Sequence, residues 1–309
     1  MPVTSSTAAA GDDGPFVLLL GAAGWHKQQL VRAFAARGAT AKALAFERCG
    51  FAVDGPSGLA LGPHRRLPDA VLVRSIPDGS FEQVTLRLSV LHALESLGVP
   101  VAVAPRAIER CVDKAHTTFL LQAAGLSVPL SWALEDPEQA KERLALELAA
   151  GHRLVQKPLF GSQGKGLKLL AAMDELSPPE DVDGVYYLQR FVETGRGFED
   201  FRVFVVDGRA VAAMRRQGQS WITNVKQGGV PEAVAPAGAL GEFAVRAAAA
   251  IGALYAGVDL IRDATGQFHL LEVNSMPAWQ GLQSVVEVDI ADEIAAALLS
   301  RISAVPAAA

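Results

Sequence analysis

Over its first hundred residues the chain alternates short apolar runs with longer stretches of helical spacing. Phe16 to Leu20 is wholly apolar, ends in Gly21-Ala22-Ala23-Gly24, and leads into a helical pattern through Arg37. Strand-like stretches follow from Ala39 to Phe46 and from Pro68 to Ile76. A helix is expected from Phe81 to Leu97, and a further strand from Val99 to Val103, closed by Pro105. Strands alternating with helices predict a small parallel α/β domain. The Gly21 to Gly24 turn lacks a complete dinucleotide fingerprint and has no acid at the matching distance, so a plain tight strand-to-helix turn explains it better than a nicotinamide site.

From Asp113 the rhythm changes. Asp113 to Ala124 reads as a helix with an acidic cap and Gly125 as its stop. A β-rich segment begins at Arg153 and is interrupted by Gly161-Ser162-Gln163-Gly164-Lys165-Gly166, with strand-like Leu167 to Leu170 beyond. Asp174 to Asp183 reads as a surface connection. After Tyr186, strands are expected near Tyr187–Phe191, Phe201–Val206, Ala210–Arg215, Ala256–Ile261 and Phe268–Val273, with helices at Gly241–Tyr255 and Ile290–Ile302. That mixture predicts an α+β region, and no internal repeat is visible.

The most informative segment runs from Gly257 to Gln280. One apolar strand delivers Asp259, a turn at Asp263 to Gly266 reverses the chain, and a second strand delivers Glu272 and Asn274. Residues two apart on a strand share a face, so Glu272 and Asn274 point the same way and the hairpin can bring Asp259 beside them. Two carboxylates and an amide oxygen make a hard, oxygen-only set suited to Mg²⁺ or Mn²⁺. The alternative is an edge hairpin with solvated acids, which the apolar neighbours make awkward.

Composition narrows the class. The chain has 309 residues, 50% hydrophobic and 20% charged, with a formal net charge of −5. Sequence-independent binding to nucleic acid needs a basic footprint, which that balance does not supply. Two cysteines, Cys49 and Cys111, are too few and too scattered for a disulfide framework or a zinc site. Residues 1–14 are small and polar and read as a disordered tail, not a signal peptide. The apolar run from Ala247 to Val258 is too short to span a bilayer. A cytoplasmic protein is expected, with no membrane partner.

Other segments carry candidate chemistry. The glycines of the Gly161 to Gly166 loop let backbone N–H groups approach an anion, and its spacing and strand-like sequel separate it from a P-loop. Lys114 and Lys157 each precede a place where phosphate could lie. Gln189-Arg190-Phe191-Val192 ends a strand and could offer backbone groups to an adenine edge. Asp200 and Arg202, with Arg215 and Arg216, place guanidinium forks on adjoining strands, as salt bridges or as anion contacts. Trp221 and Asn224 come next, and then Gly228-Gly229. Trp221 and Trp279 could pack against a planar ring or serve the core. Neither cysteine lies in a nucleophile motif, and no Gly-x-Ser-x-Gly elbow is present.

These motifs together resemble the ATP-grasp superfamily, and within it the RimK-like amino-acid ligases. The resemblance rests on the order of Ser75-Ile76-Pro77, Pro105-Arg106, Asp113-Lys114, Lys157-Pro158, Gly161-Ser162, Gly164 and Gly166. It continues through Asp200, Arg202, Arg216, Trp221, Asn224, Gly228-Gly229, Gly257-Val258-Asp259 and Glu272-Val273-Asn274, and spans roughly residues 70 to 295. It implies an ATP-grasp fold, α/β and α+β: an N-terminal parallel α/β domain (15–110), a central lid lobe (111–190) and a C-terminal α+β lobe (191–304). ATP would be held by Lys114, Lys157, Gly161, Ser162, Gln163, Gly164, Gly166, Gln189, Arg190, Phe191 and Val192. Asp259, Glu272 and Asn274 would hold Mg²⁺ or Mn²⁺. Arg202, Arg216 and Asn224 would line the catalytic region, and Arg74, Arg215 and Trp221 the substrate. RimK-like hinges often carry Glu where Arg190 stands, so the resemblance assigns that side chain no role.

The reaction so implied activates a carboxylate with the γ-phosphate of ATP and lets an amine attack the acyl phosphate, giving an amide and ADP. Ala278 to Gln283 resembles ligases that extend small cofactors, which favours L-glutamate joined to a carboxylate of a tetrahydromethanopterin-type pterin. Modification of a protein or peptide C-terminus, or a catalytically silent nucleotide-binding scaffold, are the alternatives. A homo-oligomer is expected.

Overall fold

The computed structural model describes residues 14–303 apart from 56, 162, 163 and 196. The expected tail therefore lies almost wholly outside the described residues, as do Ser162 and Gln163. Of the described residues, those within 102–297 form one compact unit, and those within 14–101 and 298–303 form the other.

In the first unit the strands are β1 (Phe16–Leu20), β2 (Thr40–Leu44), β3 (Cys49–Phe51), β4 (Leu59–Leu61) and β5 (Ala70–Val73), with helices α1 (Gly24–Ala36) and α2 (Phe81–Ser96); the division falls within β6 (Val101–Ala102). The main sheet has the order β2-β1-β5-β6, and β1 runs parallel to both β2 and β5. Every residue of β1 and β5 is buried, as a parallel strand covered on both faces requires. The Gly21 turn is structural. Its φ is +65°, and a Cβ there would lie 1.9 Å from the Ser75 carbonyl oxygen, so only glycine fits. Ser80 and Gln83 form a capping box at the start of α2.

The second unit opens with α3 (Pro105–Val112) and α4 (Lys114–Ala123), the latter capped by Asp113, whose carboxylate accepts from the backbone of Ala115 and His116. Then come β7 (Ser131–Leu134), α5 (Pro137–Ala149), β8 (Leu154–Lys157), β9 (Lys168–Leu170) and β10 (Tyr186–Arg190), in the sheet order β7-β10-β8-β9. Ala140 and Leu144 of α5 pack on Leu154, Leu170, Tyr186 and Leu188 of that sheet. The remaining elements are β11 (Phe198–Val206), β12 (Arg209–Gly218), β13 (Val230–Val234), α6 (Gly238–Ile251), β14 (Tyr255–Arg262), β15 (Phe268–Asn274), α7 (Gln280–Gln283) and α8 (Ile290–Ser303), which crosses the division at Leu298.

The second sheet has the order β13-β12-β11-β14-β15 and is antiparallel throughout. The helix expected from Gly241 to Tyr255 begins three residues earlier and stops at Ile251. Gly252, at φ +79°, ends it in the left-handed conformation, and its N–H bonds Ala248 and Ala249 carbonyls. Tyr255 is therefore the first residue of β14, not the last of a helix. Trp279 is 1% exposed and packs edge-on to Phe204. It is a core residue, so the ring-stacking role considered for it is ruled out.

Candidate active site

The second unit contains one cleft that gathers most of the polar motifs of residues 114–272. Its floor is the β14–β15 hairpin. Asp259 and Glu272 are direct cross-strand partners, and Asn274 stands opposite Gly257. The register shifts between Asp259 and Leu260, which pairs with Leu270 and leaves Leu271 as the extra residue of a bulge. A bulge breaks the two-residue alternation. This one buries Leu270 at 1% exposure while its neighbours Leu271 and Glu272 both line the cleft.

The two acids stand in different environments. Burial raises the Glu272 carboxyl, and the adjacent Asp259 charge raises it further. Burial pushes Asp259 upward too, but Arg202 and Arg216 outweigh it and hold the carboxyl below its ordinary range. Arg202 makes a two-pronged bond to Asp259, with Nε to Oδ1 at 2.7 Å and a terminal nitrogen to Oδ2 at 2.6 Å. Arg216 does the same with Asp200, Nε to Oδ1 at 2.7 Å, and lies 3.3 Å from Asp259. Both forks expected to face substrate are thus engaged by aspartates. Asp200 is 6% exposed and, despite Arg216, burial keeps its carboxyl raised.

The residues fit a divalent metal. Buried Asp259 and half-buried Glu272 pair across the hairpin, and Asn274, two residues beyond Glu272, has its Nδ2 buried with no hydrogen-bond partner among the described residues. A hard cation would relieve the like-charge contact that raises Glu272, and the Asn274 amide oxygen would complete an oxygen-only donor set.

The two lysines converge from different elements. Lys114, at the start of α4, donates to the carbonyl oxygens of Leu159 at 3.2 Å and Gly161 at 3.0 Å. Lys157, at the end of β8, donates to Gln189 Oε1 at 2.6 Å. Burial lowers both ammonium groups, Lys157 to about 8. The glycine loop is drawn against Asn224: a Cβ on Gly164 would lie 2.5 Å from the Asn224 side-chain oxygen, at φ +70°. Gly161 and Gly164 line the cleft, while Gly166 packs on Pro158.

At the hinge, backbone commitments narrow the choices. The Arg190 N–H bonds the Leu130 carbonyl at 2.8 Å and the Phe191 N–H bonds the Arg153 carbonyl at 2.9 Å. Val192 is thereby left as the hinge N–H without such a partner among the described residues. The Arg190 side chain turns to Glu147 of α5, donating to one carboxylate oxygen at 3.0 and 2.7 Å.

Two expected substrate contacts change place. Arg215 is bonded to Glu232 at 2.6 Å and to Glu199 at 3.4 Å. Strand alternation puts it on the face of β12 opposite Arg216, so it does not line the cleft and is corrected to a surface ion pair. Trp221 does line the cleft, but its ring stands 6.1 Å from Phe191, at the hinge. Arg74 belongs to the first unit, 8% exposed beyond β5. The cleft also takes in residues to which the sequence assigns no site role, among them Val155, Ile222, Thr223 and Leu271. Val155 was open to inference, being two residues before Lys157 on one strand; Leu271 was not, because only the bulge exposes it.

The family model described as a RimK-like ATP-grasp domain matches residues 111–298. A protein of Methanococcus maripaludis named tetrahydromethanopterin:alpha-L-glutamate ligase is 34% identical over 232 residues, 72% of this chain and 76% of that one. A Legionella pneumophila protein named probable alpha-L-glutamate ligase is 32% identical over 212 residues, 67% of this chain and 69% of that one. Among solved structures, the ATP-grasp ligase PsnB, complexed with a precursor variant, Mg and ADP, superposes with a TM-score of 0.73 at 24% identity, covering 94% of this chain and 99% of that one. That likeness concerns the fold, which is the ATP-grasp fold the motifs implied. With the lysines, the glycine loop, the hinge and the acidic hairpin meeting in one cleft, and relatives of this identity over most of its length, the chain belongs to the RimK-like ATP-grasp family of ligases.

Proposed function

We propose that this chain joins L-glutamate to a carboxylate of a small pterin-type cofactor, using ATP and Mg²⁺ and releasing ADP and phosphate. The observation that carries the reading is the cross-strand pair Asp259 and Glu272, set beside Lys114 and Lys157 in one cleft. Acids alone would suit a structural cation. Acids facing half-buried lysines suit a metal-bound polyphosphate.

An acceptor carboxylate oxygen attacks the γ-phosphorus and ADP leaves; the glutamate amine then attacks the acyl carbon and phosphate departs, leaving an amide. Bound at Asp259, Glu272 and Asn274, Mg²⁺ would neutralise phosphate charge. Lys114 and Lys157 hold the phosphates as point charges. The Val192 N–H meets the base edge, between apolar Val155, Ile222 and Leu271. Asp200 fixes Arg216 so that its charge faces the cleft without rotamer freedom, which suits it to the acyl-phosphate region. Asn224 bears on the glycine loop.

The choice of glutamate and pterin is supported by what the methanogen and Legionella relatives are named. The test supplies ATP, Mg²⁺ and L-glutamate with a tetrahydromethanopterin-type acceptor or with carboxylate-ended peptides, and reads ADP and product mass. One added glutamyl unit on the pterin, dependent on all components, is expected. Product on peptides alone would replace this reading with peptide modification, and no ADP with any acceptor would favour the silent scaffold.

A further inference from the structure

Gln189 is 2% exposed in the middle of the sheet, on β10 between β7 and β8. Its amide is engaged on both sides. Nε2 donates to Ser131 Oγ at 3.0 Å and to the Tyr187 hydroxyl at 3.4 Å, while Oε1 accepts from Lys157 Nζ at 2.6 Å. The orientation of the amide follows from its neighbours. The Ser131 hydroxyl spends its proton on the Pro129 carbonyl at 2.8 Å, so toward Gln189 it can only accept. Nε2 must therefore face Ser131, and Oε1 must face Lys157. Tyr187, the direct ladder partner of Lys157, is itself fixed 2.8 Å from Thr118 Oγ1 on α4.

We propose that Gln189 is a positioning residue for Lys157, holding its ammonium toward the phosphates and leaving the nucleobase to the hinge backbone. The inference rests on the nucleotide reading of the cleft. A lysine head on a flexible four-carbon stem, lowered into a desolvated site, needs an acceptor before any phosphate arrives. A neutral amide supplies that acceptor without cancelling the charge, whereas a carboxylate in its place would compete with phosphate for the ammonium. Ser131, Tyr187 and Thr118 make the amide rigid. Lys157 is thus aimed in advance, and less ordering accompanies nucleotide binding.

The test measures ADP affinity by calorimetry with Mg²⁺, and adenosine affinity by competition, on the full chain. Gln189→Leu is expected to weaken ADP by about tenfold, the loss of one positioned charge contact, with adenosine changed by less than about twofold on the same scale. Gln189→Glu should also weaken ADP selectively, and it serves alone if the Leu variant fails to fold. In a Lys157→Met background, Gln189→Glu should add nothing further, as coupled residues behave in a double-mutant cycle. Equal losses of adenosine and ADP would mean that Gln189 reads the base, and would overturn the proposal; so would additive losses with Lys157→Met. If Lys157→Met alone leaves ADP affinity intact, the phosphate role of Lys157 falls first, and the inference with it.

Discussion

Charge at single residues governs how this cleft should respond to pH. Burial brings the Lys157 ammonium down to about 8, well below the ordinary value near 10.4. The empty protein therefore loses that proton as pH rises through about 8, and nucleotide affinity should decline over the same range. Phosphate binding favours the charged form, so ADP binding near pH 9 should take up a proton. Calorimetry in buffers of different ionisation enthalpy reads that uptake, and Lys157→Met should abolish it. For stability the sign is opposite to that of a salt-bridged lysine. Between about 8 and about 10 the unfolded chain holds a proton that the folded one has lost, so the fold gains stability as pH climbs through that window. At the hairpin, Glu272→Ala should lower turnover by orders of magnitude and remove the rise in melting temperature that Mg²⁺ with ADP gives the unaltered protein. A variant that keeps both would dismiss the metal site. The juxtaposition of Asp259 and Glu272 was legible because a strand, a turn and a second strand declare a hairpin through residue spacing alone. That Asp259 would be gripped by Arg202 and Arg216 was not, since cross-strand register cannot be counted along one chain.

Elements differ in how openly the sequence declares them. The helix at Lys114 and the β14–β15 hairpin stand out through a capping acid, a turn and clean periodicity. Helix α5 went unread although Asp136 caps it and Pro137 opens it. Its buried face is narrow, with Ala140 and Leu144 followed by Glu147. A buried acid there breaks the apolar spacing that would announce a helix, and its reason is Arg190 on β10. The pair ties α5 to the hinge strand, with the Glu147 side chain 8% exposed and that of Arg190 30%. Glu147→Ala should cost about 1.5–3 kcal/mol in denaturant unfolding, the range for a hydrogen bond to a charged group whose partner is left half-buried. A second clasp joins the loop after α4 to the hairpin: Ser127 Oγ lies 2.8 Å from His269 Nδ1, and His269 Nε2 lies 2.9 Å from Asp263. His269 and Thr265 hold the Asp263 carboxyl well below its usual range. A depressed carboxyl stabilises above its unfolded value, near 3.9, and that stability is lost as pH falls below it. Asp263→Asn should therefore be less stable than the parent at pH 7, with the gap closing toward pH 3. Urea midpoints at the two values decide it.

At the scale of the whole molecule, the order of motifs was readable because each carries its own chemistry: lysines at element ends, glycines where backbone must approach an anion, acids on alternating strand positions. Substrate contacts were less readable. Arg215 and Arg216 are neighbours in sequence, yet one lines the cleft and the other pairs with Glu199 and Glu232; the sequence pair alone gave no means of choosing. The net charge of −5 also conceals a cleft in which cations and acids are interleaved. Two arginines, Arg202 and Arg216, are matched to aspartates, so the charge left for phosphate resides mainly on the cleft lysines Lys114, Lys157 and Lys165. Removing Mg²⁺ with a chelator should accordingly abolish turnover and weaken ADP binding while leaving the fold intact, because Lys114 and Lys157 themselves offset the Glu272 charge. Carboxylate activation by phosphoryl transfer is the step on which the account depends. Its most direct test uses an acceptor labelled with ¹⁸O in the reacting carboxylate, in a reaction with ATP, Mg²⁺ and L-glutamate, and follows the label by mass spectrometry. An acyl phosphate predicts one labelled oxygen in the inorganic phosphate and none in ADP. Label in AMP, or amide formed with unlabelled phosphate, would contradict it.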